Sequence, residues 1–184
     1  MDYTHHYLSP LGGITMASDG DSLVGLWFDG QKHFAETLNR MHTEAALPVF
    51  EETDRWLDLY FSGKVPDFTP DLRMRATSFR KTVWEILLTV PYGKTVSYGE
   101  IAALVAKQKH LPRMSARAVG GAVEHNAVSL IIPCHRVVGA DGNLTGYAGG
   151  MEKKRILLEW EKAERKSLSV PEGCPFPCSS AGTL

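Results

Sequence analysis

Between residues 63 and 72 the chain reads GKVPDFTPDL, and this stretch constrains the fold more than any other. Two prolines and a glycine so close together can neither continue a helix nor sit inside a sheet, because proline lacks a backbone N–H and fixes its own φ. The sequence changes character across this break. Before it, ITMAS and SLVGLWF within residues 11–28 are β-prone runs around the turn residues Asp19-Gly20-Asp21, which predicts a hairpin. Residues 48–62 place Trp56, Leu57, Tyr60 and Phe61 on one helical face. After the break the pattern is helical. Phe79, Val83, Ile86 and Leu87 form a core-facing stripe that ends at Pro91-Tyr92-Gly93. Ser97-Tyr98-Gly99-Glu100 is a capping box opening a helix through IAALVAK. A loop, KQKHLPRM, leads to Ser115, which caps a second short helix, SARAVGGAVEHN. A last helix over 151–165 has Ile156, Leu157 and Trp160 as its expected buried face. The reading is an α+β chain: a small N-terminal α/β domain over 1–75, a helical domain over 76–165, and a Pro/Ser/Gly-rich tail over 166–184 expected to be disordered.

Charge follows the same division. Residues 1–70 carry 4 Lys/Arg against 11 Asp/Glu, whereas residues 71–120 carry 9 against 3. The basic stretch is either a phosphate-contacting surface or a solvated helical face. No apolar run approaches the roughly 18 residues that span a bilayer. The start, MDYTHHYLSP, lacks a signal-peptide pattern, so a cytoplasmic protein is expected. The three cysteines, Cys134, Cys174 and Cys178, do not form a disulfide framework by count or context.

The pair of short helices between 97 and 126 resembles a helix-turn-helix with a long connecting loop. Its second helix carries Gly120 and Gly121 in mid-course, each costing about 1 kcal/mol relative to alanine. Such a cost is tolerated where another body comes close to the backbone. That body is either another helix, the reading that composition favours, or a nucleic-acid backbone.

Chemistry is concentrated in Ile131-Ile132-Pro133-Cys134-His135-Arg136-Val137-Val138-Gly139. A thiol reacts as its thiolate, and a neighbouring base or cation promotes that form. His135 is positioned in sequence to be such a base, directly or through a water, and a third group usually orients such a histidine. Taken alone, a Cys-His pair is more often a small buried cysteine beside a surface histidine.

The pair does not stand alone. RAVGGA at 117–122, Asn126, IPCHRV at 132–137, GYAGG at 146–150 and LLEWE at 157–161 occur in order, preceded by PYGKTVSYGEIA at 91–102 and SPLGGITM at 9–16. Over residues 7–165 the chain resembles the O6-alkylguanine-DNA alkyltransferases. The resemblance implies a ribonuclease-H-like N-terminal domain and a C-terminal domain that holds the whole site. It implies repair of O6-alkylguanine, with O4-alkylthymine as a possible second lesion, by flipping the base and moving its alkyl group once and irreversibly onto the protein. The implied partner is double-stranded DNA containing alkylated bases, met as a monomer, with no cofactor and no membrane.

Roles follow position by position. Cys134 is the implied alkyl acceptor, His135 the base acting through a water, and Glu161 the carboxylate holding His135. Asn126 bridges the recognition helix to the active-site turn. Tyr98 helps rotate the target phosphate and protonates the leaving guanine. Arg117 fills the gap left by the flipped base. Ser115, Ala116, Gly120 and Gly121 belong to the DNA-facing helix. Val137, Tyr147 and Ala148 belong to the pocket. The chain differs from the family pattern at Asn126-Ala127, where Asn-Pro is usual, at Ala148, where some members have serine, and in its longer KQKHLPRM loop.

Some members of the family bind zinc through N-terminal cysteine and histidine. Here no cysteine precedes Cys134, and His5, His6, His33 and His42 lack ligand spacing, so no metal is expected. Three other readings are weaker. A lesion-binding relative without chemistry would lack Cys134. A Cys-His hydrolase leaves the basic helices unexplained. A transcription regulator leaves PCHR unexplained.

Overall fold

The computed structural model describes residues 1–163. The expected tail, with Cys174 and Cys178, lies outside the described residues. The N-terminal half is a four-stranded sheet covered by one helix. Strands β1 (Asp2–Ser9), β2 (Gly12–Ser18) and β3 (Leu23–Phe28) form an antiparallel meander, and the short β4 (His42–Glu44) pairs in parallel with β1. The expected hairpin is β2–β3. Its turn is held by Asp19, whose Oδ1 accepts from the N–H groups of Asp21 (3.3 Å) and Ser22 (3.0 Å).

Strand β1 is an addition to the sequence reading. Its polar residues do not alternate cleanly with apolar ones, yet they pack. Helix α1 (Pro48–Phe61) lies against it, and His5 and Tyr7 reach Asp54 (2.9 Å) and Asp58 (2.7 Å), one turn apart on that helix. On α1 itself Trp56, Leu57 and Tyr60 are buried as expected, and proline occupies the first turn, where its missing N–H costs nothing.

The C-terminal half holds α2 (Ser78–Leu88), α3 (Tyr98–Gln108), α4 (Ala116–Glu124) and α5 (Met151–Ala163), with a two-stranded parallel ribbon of β5 (Val96–Ser97) and β6 (Val137–Val138). The capping box is formed: Ser97 Oγ accepts from the Glu100 N–H, and Glu100 Oε2 accepts from the Ser97 N–H. Ser115 caps α4 by accepting from the Ala118 N–H. Trp84 of α2 donates its indole N–H to Ala122 O of α4 at 2.8 Å, which fixes the second helix of the pair against the core.

The last helix differs from expectation. Its buried face is Lys154, Leu157, Leu158 and Glu161, while Ile156 and Trp160 are only half-buried. Two charged residues replace the expected apolar ones because they have partners inside the protein, described below.

The free edge of β3 joins the two halves. At one end it pairs with the chain after the Pro/Gly break: the Leu23 N–H donates to Asp71 O, and the Arg73 N–H donates to Leu23 O. At the other end it pairs with residues 127–129: the Leu26 N–H donates to Ala127 O and the Ser129 N–H to Leu26 O, both at 2.8 Å. An otherwise open sheet edge is thereby covered, and the segment leading to Cys134 is anchored on the N-terminal sheet.

Candidate active site

Residues 127–133 connect α4 to a single 3-10 turn, Cys134–Arg136. Leu130 in this connection adopts φ +69°, a left-handed conformation costly for a branched side chain. Packing supports it, since Leu130 is buried and its neighbours are paired to β3. The turn delivers Cys134 into the interior, 2 % exposed.

Asn126 holds this connection together. Its Nδ2 donates to Ile132 O (2.8 Å), to Val128 O (3.3 Å) and to Cys134 Sγ (3.0 Å), while its Oδ1 accepts from the Val128 N–H (3.0 Å). One amide thus shapes the turn and touches the thiol. Burial pushes the thiol up to about 11; the Asn126 bond and the positive charge of Lys154 oppose that rise. The resting group is a thiol, and a base must take its proton for it to react.

An imidazole able to serve as that base is adjacent. His135 is completely buried, and its Nε2 lies 2.6 Å from Glu161 Oε1. Burial lowers the His135 pKa despite the carboxylate, so the ring is neutral near pH 7. With Nε2 as the donor to Glu161, Nδ1 carries the lone pair, and it has no hydrogen-bond partner among the described residues.

Glu161 is the most heavily bonded carboxylate in the site. Oε1 accepts from His135, from Arg136 Nη2 (3.0 Å) and from the Tyr60 hydroxyl (2.9 Å). Oε2 accepts from Arg136 Nε (3.0 Å) and from the Gly93 N–H (2.9 Å). Burial alone would raise its pKa; the hydrogen bonds from His135 and Arg136 and the charge of Arg136 outweigh it and hold the carboxyl at about 2. Glu161 is therefore ionised, with Arg136 as its permanent counter-charge. Arg136 is itself fixed by donating from Nη1 to Val90 O at 2.6 Å.

A cavity of about 40 Å³ opens onto the thiol, lined by Tyr98, Val123, Glu124, Cys134, Gly146, Tyr147 and Ala148. It has room for about one water. Tyr98 stands at its rim because β5, which precedes it, pairs with β6, which follows the reactive turn. The Tyr98 hydroxyl donates to Thr145 O at 3.2 Å. Tyr147 is half-buried, and its hydroxyl oxygen, itself buried, has no hydrogen-bond partner among the described residues.

Cys134, His135, Glu161, Asn126, Tyr98, Tyr147 and Ala148 are thus gathered in one place. Val137 is fully buried in β6 and does not line the cavity. Ser115, Ala116, Arg117 and Gly121 are exposed on α4, away from the core, and Gly120 is half-buried. Helix packing does not explain the two glycines. A Cβ at Gly121 would meet no protein atom within 4 Å, and one at Gly120 would make ordinary contact with the Tyr98 ring at 3.8 Å.

Sequence reading missed four participants. Lys154 is buried on α5 and donates to Thr145 O (2.6 Å) and Gly146 O (3.0 Å), shaping the loop that walls the cavity. Burial pulls its pKa down to about 8. Its signal in the sequence is its place seven residues before Glu161, on the same helical face. Arg136 reads as a solvent-facing neighbour of the Cys-His pair, and Gly93 as a helix stop. Tyr60, from the other half of the chain, carries no local signal at all.

The chain is similar to known proteins over most of its length. Residues 3–74 match the family described as 6-O-methylguanine DNA methyltransferase, ribonuclease-like domain, and residues 78–163 match its DNA binding domain. The methylated-DNA–protein-cysteine methyltransferase of Mycobacterium tuberculosis is 43 % identical over 155 residues, covering 84 % of this chain and 89 % of the relative. That of Haemophilus influenzae is 38 % identical over 161 residues, covering 87 % and 86 %. Among solved structures, Mycobacterium tuberculosis OGT in complex with DNA superposes with a TM-score of 0.76 at 41 % identity, covering 88 % of this chain and 94 % of that one. An O6-methylguanine DNA methyltransferase from Methanococcus jannaschii gives 0.57 at 30 %, covering 86 % and 92 %.

Proposed function

The chain belongs to the 6-O-methylguanine DNA methyltransferase family, and from that premise we propose that it repairs O6-alkylguanine in duplex DNA by accepting the alkyl group on Cys134. The observation that carries the proposal is a buried thiol bonded to Asn126 at 3.0 Å, next in sequence to a buried His135–Glu161 pair at 2.6 Å. The relatives' DNA and methyl-transfer chemistry supplies the substrate class.

The chemistry divides among these groups. His135 Nδ1 takes the thiol proton, through a bridging water, and Glu161 stabilises the imidazolium that forms. The thiolate attacks the alkyl carbon; the S–C bond forms as the C–O6 bond breaks. The electron pair of the broken bond goes to the guanine, which receives a proton from Tyr98; the tyrosinate regains one through solvent, balanced by the proton that the His135 imidazolium gives up. The product thioether is not hydrolysed, so each molecule acts once. No cofactor enters this balance.

O6 lies inside the duplex, so the base must be flipped out to be reached. A purine does not fit a cavity with room for about one water. Entry requires the wall around Thr145–Ala148 to move away from Tyr98. The α3–α4 pair is the docking element: α4 offers exposed Ala116, Arg117 and Gly121, whose small neighbours permit close approach to a groove. Arg117 enters the stack in place of the flipped base.

Among the described residues no helix is long and apolar enough to cross a membrane, and a monomer working in the cytoplasm fits this reading. The test is stoichiometry. Repaired guanine, measured against increasing protein, should plateau at one base per protein molecule; continued turnover would contradict the proposal.

A further inference from the structure

After β3 the chain runs over residues 29–38 toward the end of α4. Within it, His33 and Ala35 adopt φ +59° and +54°, left-handed conformations that cost energy in residues with a Cβ. This winding turns two side chains toward His125, the C-cap residue of α4. His33 Nδ1 lies 2.6 Å from Glu36 Oε1, and the His33 and His125 rings stack with centroids 3.9 Å apart. One donor atom from each of His33, Glu36 and His125 falls within 4.8 Å of the others.

Two details give this cluster a direction. His125 Nδ1 donates to Gly121 O at 2.8 Å, which leaves the lone pair on Nε2. A backbone carbonyl holding one imidazole nitrogen while the other binds an ion is the usual support of a metal-bound histidine. His33 Nε2 is buried and has no hydrogen-bond partner among the described residues, so that ring also has a nitrogen uncommitted.

We propose that His33, Glu36 and His125 form a binding site for a divalent transition metal, zinc foremost. Two imidazoles and a carboxylate are donors that zinc takes at about 2.0–2.2 Å, with a water completing the tetrahedron. Calcium and magnesium prefer all-oxygen sets. Binding requires the three donor atoms to draw inward, and the exposed Glu36 side chain and ring rotation provide that freedom. The expectation of no metal came from spacing along the chain; His33 and His125 come together only through the fold.

The site lies on a seam between the two halves. Lys32 donates its N–H to Ala148 O at 3.0 Å and pairs with Glu124 through Nζ at 2.5 Å. Asn126, which bonds the Cys134 sulfur, directly follows His125. A metal here tethers the 29–38 segment to the end of α4. It does so without using the reactive thiol.

The test uses the full chain without an affinity tag and stripped of metal, with Cys174→Ser and Cys178→Ser so that the tail supplies no thiolate. Cobalt(II) is titrated by absorption and zinc(II) by calorimetry, and the melting temperature is followed with and without zinc. The expected result is one equivalent bound, a cobalt spectrum without thiolate charge transfer, and a higher melting temperature with zinc. His33→Asn, chosen because asparagine tolerates positive φ, and His125→Gln should each weaken binding by at least about 100-fold, beyond the loss typical of an outer-shell partner. Glu36→Gln, at an exposed position, gives a third variant with an intact fold. No binding, binding unchanged in these variants, or a thiolate band would overturn the proposal.

Discussion

The Tyr60 hydroxyl of α1 and the His135 ring of the reactive turn bond the same oxygen of Glu161, at 2.9 and 2.6 Å. The N-terminal half thus contributes directly to the carboxylate that orients the proposed base. Tyr60→Phe removes one charge-assisted hydrogen bond and leaves Oε1 still bonded by His135 and Arg136. The expected cost is about 1.5–3 kcal/mol of stability, measured by urea unfolding with an unchanged slope. Lesion binding should be retained. Parent-like stability in the variant would show that the bond contributes nothing.

Glu161→Gln keeps the shape of the side chain and removes its charge. Alkyl transfer should slow by roughly 10²–10⁴-fold, the range of general-base contributions, while binding to alkylated duplex stays nearly intact. Arg136 then loses its buried counter-charge, which costs about 3–5 kcal/mol. Circular dichroism and the melting temperature must therefore accompany single-turnover rates, and Glu161→Asp, which keeps the charge, should recover part of the stability. A folded Gln variant reacting at the parent rate would refute the proton relay.

Stability should fall on the acid side, with the sign set by two groups. Glu161 titrates at about 2 in the folded protein, below its ordinary value of 4.5; the stability this gives is present above pH 4.5 and lost as pH falls toward 2. His135, held neutral by burial below its ordinary 6.5, resists protonation in the fold, so its contribution begins to fade as pH drops below 6.5. Unfolding free energy measured from pH 7 to pH 3 should decline throughout. In a folded Glu161→Gln variant the decline below pH 4.5 should be shallower; an identical curve would show that the carboxylate is not linked to folding.

Arg117→Ala separates binding from chemistry. Its side chain is exposed on α4, and a group that stacks in place of a base contributes about 1–3 kcal/mol. Repair of a duplex should slow roughly tenfold to hundredfold. Reaction with free O6-benzylguanine, which needs no flipping, should change little. Equal losses on both substrates would make Arg117 a support of the pocket.

DNA affinity should fall as salt rises, through release of counterions from phosphates. The fold narrows the basic stretch that is available. Arg73 and Arg75 pair with Asp19 and Asp2 inside the N-terminal half, whereas Lys107, Lys109 and Arg113 are exposed beside α4. Lys109→Ala should reduce the slope of log affinity against log salt by about 1, and Arg73→Ala should leave it unchanged. The reverse pattern would move the phosphate contacts elsewhere.

Local chemistry made much of this legible in the sequence. The Asp19 turn, the Ser97–Glu100 box and the Ser115 cap are short-range devices, and each forms where its residues stand. Cys134, His135, Asn126 and Glu161 were legible through the motifs around them. Strand β1 was not, because His5 and Tyr7 count as polar until Asp54 and Asp58 arrive from α1. Lys154 was not legible either, for the same reason: its partners, the carbonyls of Thr145 and Gly146, come from the loop that walls the cavity. Tyr60 and the His33–His125 contact depend on residues 101 and 92 positions apart, and no local pattern encodes such distances.

The proposed chemistry stands or falls on Cys134 as the alkyl acceptor. The decisive experiment incubates the protein with excess O6-methylguanine duplex, weighs it intact and then digests it. The expected result is a gain of one methylene equivalent per molecule, carried entirely by the peptide containing Cys134 and absent from Cys134→Ser, which should still bind the lesion. An unchanged mass alongside repaired DNA, or the added methyl on Cys174 or Cys178, would contradict it.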